Sequence, residues 1–210
     1  REYAAYYAAV GGVGTQVMML DTKRGVAKLV QIEDADAVQV RCIYDRDLLA
    51  EKGVDKNTMQ LTDNRDNKKY KVELRAGKVW MKQNLAFSVT SEKQCYLEDK
   101  KYCEMYGRYY THSDALRACP VGWHLPDDGE WRDYQKDRST LDWEGLGRGG
   151  CQDWDNYCDG AGTGHYWSST SILKNSARAW EFRRLVRDID RTDASVYKGL
   201  YVRCVANLDE

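Results

Sequence analysis

The sequence predicts an α+β fold: small twisted antiparallel sheets, two short helices and long loops clipped by disulfides. Three observations carry this. Residues 60–85 alternate as a β-meander, two segments open with helix-capping residues, and cysteines sit in close pairs inside polar loops.

From the N-terminus, Tyr3, Tyr6, Tyr7 and Val10 recur at i, i+3, i+4, i+7, the spacing of one apolar helix face, and GGVG then breaks the pattern. TQVMMLDTKRGVAKLVQI and AVQVRCIY are rich in apolar residues. They read as strand or as buried helix, and their periodicity does not separate the two. DRDLLAEKGVDKN reads as a short helical turn closing into a linker. Residues 1–59 thus form an N-terminal segment, and residues 60–210 form the main domain.

In QLTDNRDNKKYKVELRAGKVWMKQNL, DNRDN and RAGK supply the turns, while Tyr70, Val72 and Leu74, then Val79 and Met81, alternate. Cys95 and Cys103 close a polar loop over residues 90–103. THSDALRAC predicts a short helix with Ser113 as N-cap and Leu116 facing inward. After Pro126, Asp127 and Glu130 have capping-box spacing. Their helix is expected to run to about Arg138, with Trp131 and Tyr134 on one face. Residues 139–165 form a long irregular region, a length usual for functional loops. HYWSST and GLYVRCVANL read as strands, and SARAWEFRRLVRDIDR between them as one strand or a strand pair.

Composition narrows the function. The chain has 210 residues, with 32 Lys and Arg against 33 Asp and Glu. A net charge of −1 gives no reason to expect nucleic acid or an anionic membrane as partner. No apolar run approaches the ~18 residues of a membrane span. Aromatics are skewed: 15 Tyr and 7 Trp against 2 Phe. Tyr and Trp join an apolar body to a polar edge, which suits wet contact surfaces and small polar-lined cores.

Seven cysteines occur without a CxxC pair and with only three His, so a Cys/His zinc site is not expected. The close pairs Cys95/Cys103 and Cys151/Cys158 read as disulfides, hence an exported protein. Cys42 is the odd one: buried and inert, or a link between subunits. A first residue of Arg1 reads as a processed or trimmed chain.

Four segments occur in an order that identifies a resemblance: LTDNRDNKKYKVELRAGKVWMKQNLAF, CYLEDKKYCEMYGRYYTHSDALRACPVGWHLPDDGEW, YWSSTS and YVRCV. Together they resemble the Fibrobacter succinogenes major paralogous domain, over residues 60–206 or so. That family consists of exported bacterial surface proteins with a fold similar to the C-type-lectin-like fold. The resemblance implies two helices flanking a small twisted antiparallel core, with the long loop region as the variable surface. It also implies that Cys95 bonds Cys103 and that Cys119 bonds Cys204. The chain departs from the family between helix and YWSSTS, where LDWEGLGRGGCQDWDNYCDGAGTGH replaces a longer Gly-Ala-Pro-type stretch.

His124 in GWHLP has no nucleophile-elbow Ser near it, and Asp127 and Asp128 are better explained as helix-start acids. The resemblance makes the motif framework: Gly122 for the turn, Trp123 and Leu125 for packing, Pro126 to start the helix. In CQDWDNYCDG, Asp153, Asp155, Asn156 and Asp159 offer oxygen ligands of the kind calcium takes. A hard cation such as calcium is what this loop could hold, and no cofactor is otherwise required. Trp143, Trp154, Tyr157 and Tyr166, with Trp167 assigned to the core, are candidates for a sugar- or protein-contacting surface. The mixed charges of SARAWEFRRLVRDIDR read as a solvated or subunit-facing strand face. The apolar N-terminal segment, with Tyr3, Tyr6, Tyr7, Val10 and Cys42, must pack either on its own domain or on a neighbouring subunit.

The expected function is therefore non-enzymatic: an extracellular bacterial surface protein, foremost a structural subunit of a surface filament or pilus-like assembly displaying a lectin-like domain. Its partners would be copies of itself or another surface protein, held through residues 1–59. The alternative is a carbohydrate-binding adhesin. An enzyme of the related formylglycine-generating type would need reactive cysteines or a metal site, whereas these cysteines read as bridged.

Overall fold

The computed structural model describes the backbone of residues 3–8, 15–21, 26–32, 46–89, 94–136, 138–153, 156–158 and 162–208. Side chains are described from residue 48 on, Asn156 excepted. The chain divides into two compact units, Arg1–Asp45 and Arg46–Glu210. The boundary thus falls ahead of residue 59. The reason is burial: Leu49 and Val54, at 3% exposure each, are core residues of the second unit.

In the first unit, β1 (Tyr3–Ala8), β2 (Thr15–Asp21) and β3 (Val26–Ile32) form an antiparallel sheet in the order β1-β2-β3. The helix expected from Tyr3, Tyr6 and Tyr7 is not formed. Tyr is a good strand former, and pairing runs from Tyr3↔Asp21 to Ala8↔Gln16, so ladder formation overrides a weak helical spacing. Val10 and Cys42 lie outside the described residues.

The second unit opens with α1 (Arg46–Glu51), the expected helical turn. Then β4 (Val54–Asp55), β5 (Gln60–Asp63), β6 (Lys68–Arg75) and β7 (Lys78–Met81) form the meander, with both turns as expected. The last strand, β13 (Val205–Asn207), adds to β7, giving the order β13-β7-β6-β5-β4. Only this part of GLYVRCVANL is regular strand, yet residues 199–206 are all buried. The segment threads the centre of the unit, joined by bridges Tyr110↔Leu200, Tyr166↔Tyr201 and His124↔Val205.

The second sheet is β10 (Thr163–Leu173), β11 (Ser176–Arg183) and β12 (Asp188–Ser195), all antiparallel. SARAWEFRRLVRDIDR is therefore a strand pair. A small hairpin joins β8 (Cys151–Asp153) to β9 (Asn156–Cys158).

Five short α-helices, rather than two, occur among the described residues. Residues Lys100–Tyr106 form α2, inside the expected polar loop, capped by Asp99. In α3 (His112–Ala118) the N-cap is Thr111, whose hydroxyl accepts from the Asp114 N–H, and Ser113 sits inside the helix. The frame shift turns Leu116 outward, to 53% exposure, and buries Ala115 and Ala118. The reciprocal capping box of Asp127 and Glu130 opens α4, which ends at Tyr134 (Asp128–Tyr134). The fifth, α5, is Trp143–Leu146.

The aromatic skew now has a physical reason. Trp80, Trp131, Tyr134, Tyr166, Phe182 and Tyr201 are buried together, Trp80 and Tyr134 with ring centres 4.5 Å apart. Buried carbonyls around this core, at helix ends, strand edges and loops, need donors. Tyr166 Oη donates to Leu146 O (2.8 Å), Tyr110 Oη to Phe87 O (2.6 Å), Trp167 Nε1 to Tyr110 O (2.7 Å) and Trp131 Nε1 to Trp167 O (3.1 Å). Phe could fill the same space but satisfy none of these acceptors.

Three disulfides staple the unit: Cys95–Cys103, Cys119–Cys204 and Cys151–Cys158. The fold is thus mixed α and β, mostly antiparallel, with short helices and bonded cysteines. Among the described residues no helix is long and apolar enough to cross a membrane.

Candidate functional site

The β8–β9 hairpin is where the sequence places a ligand loop. Cys151 and Cys158 face each other directly across it and are bonded. Asp153 is held by Lys198 Nζ at 2.8 Å, so its carboxylate is already paired. Tyr157 is half-buried and lies edge-on to Tyr96, ring centres 5.1 Å apart. Tyr166 is not a surface aromatic: as an inward position of β10 it is fully buried, its hydroxyl spent on Leu146. Trp143 is half-buried and packs against the aromatic core. Trp154, Asp155 and Asp159, and the side chain of Asn156, lie outside the described residues. The sequence-predicted aromatic surface is thereby largely absorbed, Tyr166 lying in the core and Trp143 and Tyr157 packing against it.

His165 lies beside this hairpin, its ring nitrogen within 4.8 Å of both Cys151 and Cys158 sulfurs. The three residue types suit zinc, but each sulfur is held in the disulfide, and a metal-binding cysteine must be a thiolate.

His124 is framework. Its Nε2 is 2.9 Å from Glu130 Oε1, and its backbone pairs with Val205. Burial pushes the Glu130 carboxyl up, but His124, the Asp127 N–H and Lys78 together hold it below its ordinary 4.5. Glu130 thus joins the capping box, the histidine and Lys78 Nζ (3.2 Å) in one network.

A cleft of about 330 Å³ opens between β6, the chain following β7, α2 and α5. Its lining includes Lys68 and Lys69 of β6, Lys82 after β7, and Glu104, Met105 and Tyr106 of α2. Asn84 and Gly145 also line it, and both are held by Arg203, which is buried and outside the lining. Arg203 Nε donates to Asn84 Oδ1 (3.0 Å) and Nη2 donates to Gly145 O (2.7 Å). Asn84 Nδ2 in turn donates to Tyr106 O (2.8 Å). Arg203 is 1% exposed, and its Nη1 has no hydrogen-bond partner among the described residues. Burial works against its charge, but Tyr166, Tyr134, Asp142 and Glu73 around it outweigh that, so the guanidinium stays protonated.

These residues were missed by sequence reasoning because they come from five separate segments with no local pattern. The only signal was Arg203 itself, a charge inside the otherwise apolar run LYVRCVANL. No protein-family model, curated protein or solved structure matches the chain.

Proposed function

We propose that the protein is an exported, non-enzymatic bacterial surface protein: a structural subunit of an extracellular assembly that displays a C-type-lectin-like domain akin to the Fibrobacter succinogenes major paralogous domain. The observation that carries this reading is the N-terminal sheet. Its register sets Tyr7, Val17 and Val30 in one row and Tyr6, Met18 and Leu29 in the next. Adjacent rows belong to opposite faces of a sheet, so both faces carry apolar residues. Three strands cannot cover two apolar faces by themselves. A second copy of the chain is the covering this reading supplies, by sheet stacking or by strand addition at β1 or β3.

The three disulfides support export, since such bonds persist in oxidising compartments. They use six of the seven cysteines, and Cys42 is the one left for a bond between subunits. Negative-stain microscopy of the full chain, with reducing and non-reducing gels alongside, tests the reading. Polymers that disappear on deletion of residues 1–30 are expected; a monomer, or polymers that survive the deletion, would overturn it.

A second reading, a carbohydrate-binding adhesin, draws support from the Lys69/Lys82 cleft rather than from the β8–β9 hairpin. The cleft volume lies at the low end of the ~300–1,000 Å³ range of small-molecule sites, and its lining interleaves donors and acceptors around an apolar patch. Polyhydroxylated rings need that mixture.

A further inference from the structure

We infer that the cleft between β6 and α2 binds an acidic sugar, a pyranose ring bearing a carboxylate, with Lys69 and Lys82 as the carboxylate-binding pair. This rests on the adhesin reading and names its ligand class.

The argument begins with charge. Of the charged residues lining the cleft, Glu144 is engaged by Arg148 at 2.6 Å and by Arg184 at 3.0 Å. Asp142 caps α5, accepting from the Gly145 N–H at 2.9 Å. Asp142 keeps its charge while capping, so Lys68, Lys69 and Lys82 stand against Asp142 and Glu104; none of the three lysines is within ion-pair distance of a described carboxylate, the Asp55 charge being the one that Lys69 feels. With Arg148 and Glu144 cancelling, three ammonium groups against two carboxylates leave the lining a small positive excess.

The second observation is independent. Arg203 is a fully buried guanidinium standing directly behind Asn84 and Gly145, with one nitrogen unbonded and no carboxylate in ion-pair contact among the described residues. A buried charge is screened far less than an exposed one, so its field reaches Asn84 and Gly145, although Asp142 and Glu73 near it offset part of that field. A cleft of one sign with low-dielectric walls concentrates an oppositely charged ligand. A buried guanidinium thus holds the floor residues Asn84 and Gly145, and three ammonium groups outside ion-pair distance of any described carboxylate stand in the lining.

Shape and chemistry choose a sugar acid over a bare anion. Met105, 61% exposed, and half-buried Tyr106 offer apolar surface to ring C–H groups. Glu104 accepts from hydroxyls, as does the free capacity of Asn84, whose position Arg203 and Tyr106 O fix. An inorganic anion would use the lysines and leave the rest of the cleft idle.

The test titrates the full chain with glucuronic- and galacturonic-acid oligosaccharides and with the matching neutral glucose and galactose oligomers, by calorimetry at low and high salt. Saturable binding to the uronic-acid oligomers alone is expected, weakening with salt. Lys69→Ala and Lys82→Ala should each weaken it about tenfold, as for loss of a hydrogen bond to a charged group. Both lysines lie on the surface, and near-UV circular dichroism checks that the variants keep the core. Equal binding of neutral and acidic oligomers, indifferent to both lysine variants, would overturn the inference and leave the adhesin reading standing. Absence of binding to every oligomer at millimolar concentration would overturn both.

Discussion

Arg191 grips the carboxylate of Asp128 with two hydrogen bonds, Nε to Oδ1 at 2.7 Å and Nη2 to Oδ2 at 2.8 Å. The pair ties β12 to the first residue of α4. Asp128 is 5% exposed and also meets Arg132 Nη2 at 3.1 Å. Such charge-assisted bonds are worth more than neutral ones, and removing one partner strands the others. Asp128→Ala should destabilise the domain by about 2 kcal/mol in urea titration. The Arg191 hydrogen bond, opposed by burial, holds the Asp128 carboxyl below its ordinary 3.8. A depressed folded-state pKa contributes stability that is fully present above the unfolded value and lost as pH falls through the lower one. Unfolding midpoints should therefore drop below pH 3.8 in the wild type, and that acid-limb drop should be smaller in Asp128→Asn.

The disulfides should differ in worth. Cys119 and Cys204 are 85 residues apart, against 8 for Cys95 and Cys103. Chain entropy gives about 4–5 kcal/mol for the long closure and about 2–3 kcal/mol for the short one. Cys204 also sits at 0% exposure beside β13, where its loss removes packing as well. Cys119→Ser with Cys204→Ser should lower the midpoint of denaturation more than Cys95→Ser with Cys103→Ser; the reverse order would show that native-state strain dominates over loop length.

The two candidate caps of α3 make a paired test. Thr111 Oγ1 accepts from the Asp114 N–H (3.3 Å) and donates to Asp114 Oδ2 (2.9 Å). Ser113 is exposed within the helix. Thr111→Ala should cost about 1 kcal/mol, and Ser113→Ala should fall within about 0.5 kcal/mol of neutral. Thermal unfolding of both variants decides it.

What could be read from the sequence follows the range of the interactions. The β5–β6–β7 meander and the Asp127/Glu130 box are local patterns, and each is where the sequence places it, while SARAWEFRRLVRDIDR, open between one strand and two, resolves as a pair that continues to Ser195. Cys151–Cys158 was legible because seven residues suffice for a hairpin clip. Failures came where local signals conflict or vanish. Tyr3, Tyr6 and Tyr7 suit either period, and only pairing with β2 decides. Thr111 and Ser113 are both good caps, and the choice depends on which frame buries Ala115 and Ala118. Tyr166 suits either surface or core because Tyr tolerates water, and here its hydroxyl serves the carbonyl of Leu146 at the end of α5 inside the core. The cleft was invisible, since Lys69, Lys82, Tyr106 and Arg203 meet only through the fold.

Gly149 is the tightest test of the core. Its φ is +88°, and a Cβ there would run into the hydroxyl and ring of Tyr201. Tyr201 cannot yield, being fully buried with its ring centre 4.8 Å from that of Tyr109. Burial raises both hydroxyls far above the ordinary 10, so both stay protonated as donors, and both point to the Gly149 carbonyl. Gly77 shares the left-handed backbone, at φ +74°, but has nothing within 4 Å of its Cβ position. Gly77→Ala thus measures backbone strain alone, about 1 kcal/mol. Gly149→Ala adds a collision with a rigid aromatic and should cost about 3 kcal/mol or more. Equal losses in the two variants, read from denaturant midpoints, would mean that the Tyr109–Tyr201 pair moves aside and that the core around residues 199–206 is softer than its burial implies.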